Sequence, residues 1–264
     1  MKNNYLVVVS TDTILSKLKQ ESNITFLFPI KGFSVGYPQT FKIEDIHEEH
    51  AFILVNRMLD QEGILKFKEM ICNLPKNIEG IVFDDIGVLQ ILLDSNLNFT
   101  KILFLNHFNC NYVSINAYLS YVDSVVVSTD ITKDEVKEIL KKAYKPLVLY
   151  TFGHMNIMYS RRKLITNYNE HFHHEEGLIN EIVNDMGSSF KVVENDYGTV
   201  IYTGEPFNGL DFRGSENVLY YLINTVFLSF EEVEHILHSD DDLKSEYPYK
   251  YLSNEETIVR IKER

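Results

Sequence analysis

Eight short apolar runs, separated by stretches of helical period, limit what this chain can fold into. The runs lie at residues 5–9, 24–30, 51–55, 78–83, 102–105, 124–127, 146–152 and 223–229. They are nearly continuous rather than alternating, the pattern of strands buried on both faces of a parallel sheet. Helical spacing fills residues 13–19, 63–73, 86–94, 114–121 and 133–143 between them. Thr132 with Glu135, and Ser229 with Glu232, have the spacing of capping boxes at helix starts. Seven of the runs recur every 20–27 residues or so, which favours closure over an open doubly wound sheet. No glycine-rich phosphate motif opens any of the helices, which weakens a nucleotide-binding reading. The expected fold is α/β, a TIM-like (β/α)8 barrel.

The rhythm breaks between residues 154 and 222. There, residues 190–194 and 198–203 alternate apolar and polar around Asn195-Asp196-Tyr197-Gly198, the signature of a β-hairpin. This segment reads as an insertion after strand seven, at the end of the barrel where ligands bind. Residues 1–239 are expected to form one domain. Residues 240–264 then make a polar tail with a strand-like stretch at 257–261.

Composition excludes several classes of function. The 264 residues are 45% hydrophobic and 24% charged, and 25 basic against 38 acidic residues leave a net charge of −13. A surface of that sign repels polyanions, no tryptophan is present, and no nucleic-acid face stands out. Phe26, Phe28, Phe83, Phe104 and Phe152 read as strand core rather than a stacking platform. Cys72 and Cys110 are the only cysteines, without CxxC spacing, which fits a reducing compartment. Cys72 follows an apolar helical pattern and is expected in the core, while Cys110 lacks a companion base. The first residues read as strand rather than a signal peptide, and no run is long enough to span a membrane. A cytoplasmic protein is expected.

Candidate site residues cluster where strands end. Asp84 and Asp85 follow the fourth run, Asn56 and Arg57 the third, His107 the fifth and His154 the seventh. In a barrel these ends converge on one mouth, bringing acids, bases and a guanidinium to a small ligand. Such residues also cap helices, and Asp85 before Ile86-Gly87-Val88 has the position of an N-cap. Arg161-Arg162-Lys163 is the one tandem basic run, suited to a phosphate or carboxylate, or to ion pairs with the insertion's carboxylates. The run His171-Phe172-His173-His174-Glu175-Glu176 lacks HExxH spacing and reads as a solvated loop, so no metal site is assigned.

The stretch LVLYTFGHMNIMYSRRKLITNY, residues 147–168, resembles the signature of peptidase family U32, the collagenase-like peptidases. Gly153, Tyr159-Ser160-Arg161-Arg162, Leu164 and Asn167-Tyr168 carry the resemblance, with weaker support from residues 78–89 and 125–139. Lys163 stands where the family usually has cysteine, and Thr166 where it usually has serine. The resemblance implies a barrel with a small β element after the signature. It also implies ligand-facing roles for Tyr159, Ser160, Arg162, Asn167 and Tyr168, beside Arg57 and Arg161, which their positions after strand ends bring to the same site. Family members were first grouped as proteases; several support hydroxylation of tRNA, ribosomal RNA or ubiquinone precursors, some with a four-iron cluster on four cysteines. Here Lys163 replaces the first of those cysteines and none follows Cys110, so no cofactor is expected. Two functions follow. One is a cluster-free peptidase or RNA- or quinone-modification protein, with a small anion at the mouth near Arg161 and Arg162. The other is a non-catalytic partner of a cluster-bearing paralogue, marked by an exposed apolar patch on the insertion.

Overall fold

The computed structural model describes residues 4–95, 97–183, 187, 189–239, 242–243 and 245–247. Six strand–helix units come first: β1 (Tyr5–Val8) and α1 (Asp12–Leu18), β2 (Ile24–Pro29), β3 (Ala51–Val55) and α2 (Gln61–Ile71), β4 (Ile78–Phe83) and α3 (Ile86–Asp94), β5 (Thr100–Leu103) and α4 (Tyr112–Leu119), β6 (Ser124–Val127) and α5 (Lys133–Lys142). After β2 a single 3-10 turn, Ile43–Asp45, stands in place of a helix. Next come β7 (Leu147–Gly153), β8 (Asn156–Ser160), α6 (Leu164–Phe172), β9 (Ile179–Val183), β10 (Ser189–Asn195), β11 (Gly198–Thr203), β12 (Phe207–Asn208), β13 (Val218–Asn224) and α7 (Phe230–His238).

Eight parallel strands close into a TIM-like barrel, because β13 pairs with both β1 and β7, and β6 pairs with β7. Burial explains the continuous runs: every residue of β1, β3, β6 and β7 is buried. The helices bury one stripe each. In α2 it is Gly63, Phe67 and Ile71, four residues apart, and in α5 it is Val136, Ile139 and Leu140. Both capping boxes form, Thr132 with Glu135 at α5 and Ser229 with Glu232 at α7.

Two expectations change. The eighth barrel strand is Val218–Asn224, five residues ahead of the run at 223–229. The strand ends at Asn224 because the next residue turns its polar side chain into the barrel end. Thr225, fully buried, donates to the Val8 carbonyl at 2.6 Å and meets the Ser10 hydroxyl at 2.7 Å. The insertion is also larger than a hairpin. The predicted pair β10–β11, in register from Phe190↔Thr203 to Asn195↔Gly198, forms the centre of a four-stranded antiparallel sheet ordered β8-β11-β10-β9.

Two glycines fix how this sheet meets the barrel. Gly153 ends β7 at φ +128°, and a Cβ there would lie 2.3 Å from the Asn224 carbonyl oxygen of the neighbouring strand. Gly198 has φ +133°, and its Cβ would lie 2.1 Å from the Ser160 carbonyl oxygen. Beyond α7, the Asn208 amide donates to the carbonyls of Asp242 and Tyr247, Leu243 is buried, and the Tyr247 ring stands edge-on to Phe152. The strand-like stretch at 257–261 lies outside the described residues.

Candidate active site

The C-terminal ends of β3, β4 and β5, together with β8, enclose a cavity of about 450 Å³. Asp84, Asp85, Asn106 and His107 supply its polar wall, with Asn56 and Asn156, and Phe104, Met58, Ile157 and Met158 supply the apolar side. Beneath it, a chamber of about 30 Å³ reaches into the barrel between Tyr37, Tyr150, Tyr202 and Asn224. Asp84, Asn56, Asn106 and Asn156 line both spaces.

Asp84 is placed by β4, whose last residue, Phe83, accepts a hydrogen bond from the Phe104 amide at 2.8 Å. Burial, with the charge of Asp85 second, pushes its carboxyl up from an ordinary 3.8 to about 7. No cation acts on it among the described residues. Asp85 caps α3, its Oδ1 accepting from the Gly87 amide at 2.6 Å. Asn56 pins the loop after β2 over the mouth: its side chain accepts from the Val35 amide and donates to the Val35 carbonyl, both at 3.1 Å.

The three phenols of the chamber stay protonated. Burial, then the charge of Asp84, raises Tyr37. Burial raises Tyr150 against a hydrogen bond to Asn224, and it raises Tyr202 as well. The Tyr202 hydroxyl donates to the Gly36 carbonyl at 2.6 Å and that of Tyr150 to the His154 carbonyl at 2.8 Å.

Of the residues expected at the mouth, Asn56, Asp84, Asp85, His107 and Tyr159 line the cavity. The His107 Nδ1 donates to Asp130 at 2.5 Å. Tyr159 sends its hydroxyl to the Tyr197 carbonyl at 3.2 Å. The other expected residues lie elsewhere. His154 is buried, donates from Nδ1 to the Thr203 carbonyl at 2.7 Å and packs against Phe227; burial lowers its pKa. It ties β7 to the insertion and is not on the cavity wall. Arg57 donates to the Gly32 carbonyl at 2.7 Å and stacks on Tyr197, beside a different cavity. Arg161 pairs with Asp60 at 2.9 Å, half exposed, and Lys163 with Asp196 at 3.2 Å. Arg162 and Asn167 are exposed, and Tyr168 stacks on Phe172. Cys72 is exposed rather than core, and Cys110 donates its thiol to the His107 carbonyl at 3.2 Å. His171 and Phe172 belong to α6, which His173 ends at φ +56°.

The signature residues have a mechanical role. Helix α6 has no capping side chain at Lys163. Its first amides bond across to the sheet instead: Ile165 and Thr166 donate to Glu194 at 2.7 and 3.1 Å, and Leu164 donates to the Thr199 hydroxyl at 2.9 Å. The hydroxyls of Thr166 and Thr199 also donate to Glu194. Burial raises the Glu194 carboxyl, but these hydrogen bonds outweigh it and hold the group below its usual range. Nothing local in the sequence signals this contact, since Glu194 reads as one more strand residue.

A closed (β/α)8 barrel with a carboxylate-bearing cavity at the strand C-termini places that cavity where barrels of this fold bind their ligands. The model of peptidase family U32 matches residues 37–194, more than half of the chain, and the protein belongs to that family. Among solved structures, the U32 peptidase Mk0906 is similar at 13% identity and a TM-score of 0.46, over 59% of this chain and 70% of its own. The spore cortex-lytic enzyme SleL of Bacillus cereus is similar at 9% identity and 0.42, over 90% of this chain and 74% of its own. No curated protein matches the chain. Among the described residues, no helix is long and apolar enough to cross a membrane.

The iron–sulfur cluster carried by some members does not fit this chain. Four thiolates are needed, and the chain has two, at the end of α2 and in the loop before α4. No group of three or more histidine, cysteine or acidic side chains stands close enough to hold a metal ion among the described residues.

Proposed function

We propose that this U32-family protein cleaves an amide bond at the barrel mouth, with Asp84 as the group that moves the proton. One observation carries the reading: among the described residues, Asp84 is the only ionisable acid or base that lines both the outer cavity and the chamber beneath it. With its pKa about 7, near half of it is carboxylate and half acid at neutral pH, the condition for efficient proton transfer. As carboxylate it takes a proton from a water that attacks the substrate carbonyl. As acid it returns that proton to the departing amine when the C–N bond breaks. Asn106 and Asn156 offer amide donors to the developing oxyanion. Hydrolysis needs no redox centre, which favours it over the hydroxylation role for a chain with two cysteines. A fluorescence-quenched peptide library tests the reading. The wild type should cleave some members, and Asp84→Asn should lose at least about a hundredfold in kcat/KM. No cleavage by the wild type, or an undiminished variant, overturns it.

A second reading rests on the insertion, where Phe172, Ile179, Ile182 and Val183 are 56, 52, 40 and 65% exposed. Apolar exposure of this kind suits a docking face for a cluster-bearing paralogue. Mixing the two proteins should then give a complex on size exclusion that Val183→Asp prevents; an unchanged elution profile rejects the reading.

A further inference from the structure

Charge at the mouth points to the kind of substrate it takes. Among the described residues, neither lysine nor arginine contributes to the wall of the outer cavity or of the chamber. The nearby arginines are committed elsewhere, Arg161 to Asp60 and Arg57 to the Gly32 carbonyl beneath the Tyr197 ring. His107, the one imidazole on the wall among the described residues, is held against the Asp130 carboxyl at 2.5 Å. What remains is the Asp85 carboxylate, with Asp84 charged about half the time at neutral pH, in a chain of net charge −13. An anion entering here would meet the Asp85 carboxylate with no lysine or arginine on the wall itself to offset it. A cation meets that carboxylate beside Asp84 and the aromatic side chains Phe104, Phe108 and Tyr159. Asp85 lines only the outer cavity, and its capping bond to Gly87 uses one oxygen.

We propose that Asp85 determines specificity, holding a positively charged ammonium of the substrate at the rim while Asp84 beneath it remains free to move protons. This rests on the mouth being the substrate site. The ammonium has two possible sources, a free peptide N-terminus or a lysine-like side chain, and both share the same chemistry. The competing expectation, a small anion near Arg161 and Arg162, is met by the carboxylate probe in the test below.

Calorimetric titration with four small probes tests the proposal. They are phenylalanine amide (free N-terminal ammonium), N-acetyl-lysine amide (side-chain ammonium), N-acetyl-phenylalanine amide (neutral) and N-acetyl-phenylalanine (carboxylate). At least one cationic probe should bind about tenfold or more tightly than the neutral one, and the carboxylate should bind weakest. Which cationic probe wins identifies the source. Asp85→Asn should erase the preference without loss of folding, because asparagine caps helices as well as aspartate. Asp85→Ser, another capping residue, is the second variant. The proposal falls if the neutral or anionic probe binds as tightly, if no probe binds at millimolar concentration, or if both variants keep the preference. Binding that depends on Asp85 in a protein that cleaves no peptide would remove the hydrolytic reading alone. Cleavage without charge preference would remove this proposal alone.

Discussion

Asp84→Asn should make the protein more stable at alkaline pH and leave it nearly unchanged in acid. A carboxyl raised from 3.8 to about 7 holds its proton longer in the folded than in the unfolded chain. Between those values the folded state binds more protons, so its stability falls as pH rises through the window. Full linkage for such a shift is ~4 kcal/mol. Water reaches the side chain from the outer cavity, which reduces the cost to about 2 kcal/mol. Asparagine keeps the shape and removes the charge, so the variant escapes that cost above pH 7. Urea unfolding of both proteins from pH 5 to 8 isolates the effect. His154, whose pKa is lowered by burial, stabilises with the opposite slope, gaining as pH rises, but equally in both proteins, so it cancels in the difference. The variant should gain about 1 kcal/mol on the wild type between pH 5 and 8, the rest of the 2 kcal/mol falling below pH 5, or about 3 °C in Tm. A difference that stays flat across the window would mean Asp84 is an ordinary solvated carboxylate, and the proton-transfer role would lose its basis.

Glu194→Ala should remove the acceptor for two helix-end amides and two hydroxyls. It should cost about 3 kcal/mol and expose the amides of α6 to hydrogen exchange before the barrel opens. Because the folded carboxyl is held below its usual range, this contribution is complete above the ordinary value of 4.5 and is lost as pH falls through the lower folded value; acid titration of melting should reveal it. Gly198→Ala, with its added carbon 2.1 Å from the Ser160 oxygen, should lose at least about 2 kcal/mol by thermal denaturation. Arg162→Ala, at an exposed position off the cavity wall, should stay within about 0.5 kcal/mol in stability and leave peptide cleavage unchanged.

The barrel was legible because its strands are buried on both faces, so their apolar runs survive any choice of sheet order. Register failed at the eighth strand for a related reason. Asn224 and Thr225 are polar yet buried, bonded across the closing seam to His154, Ser10 and Val8, and a pattern of apolar residues passes over them. Strands β8 and β9 were hidden because they lie at the edges of the small sheet, and neither has a buried residue.

Among site residues, those directly after a strand were readable from position alone: Asp84, Asp85 and His107 reach the cavity. The chamber's tyrosines were not, since Tyr37 comes from the loop after β2 and Tyr202 from the insertion, segments that only the closed fold brings together. The signature stretch contributes Tyr159 to the cavity wall and otherwise lies at a joint. Tyr159, Ser160, Thr166 and the glycine at 153 are fixed by contacts that hold α6 and the small sheet to one another and to the barrel. Arginines in that stretch inherit their prominence from the joint they flank. In the proposed reading, the charge at the mouth comes from two adjacent aspartates at the fourth strand's end, Asp84 facing the chamber and Asp85 capping a helix. An unremarkable dipeptide thereby supplies the proposed proton carrier and the proposed selector of substrate charge.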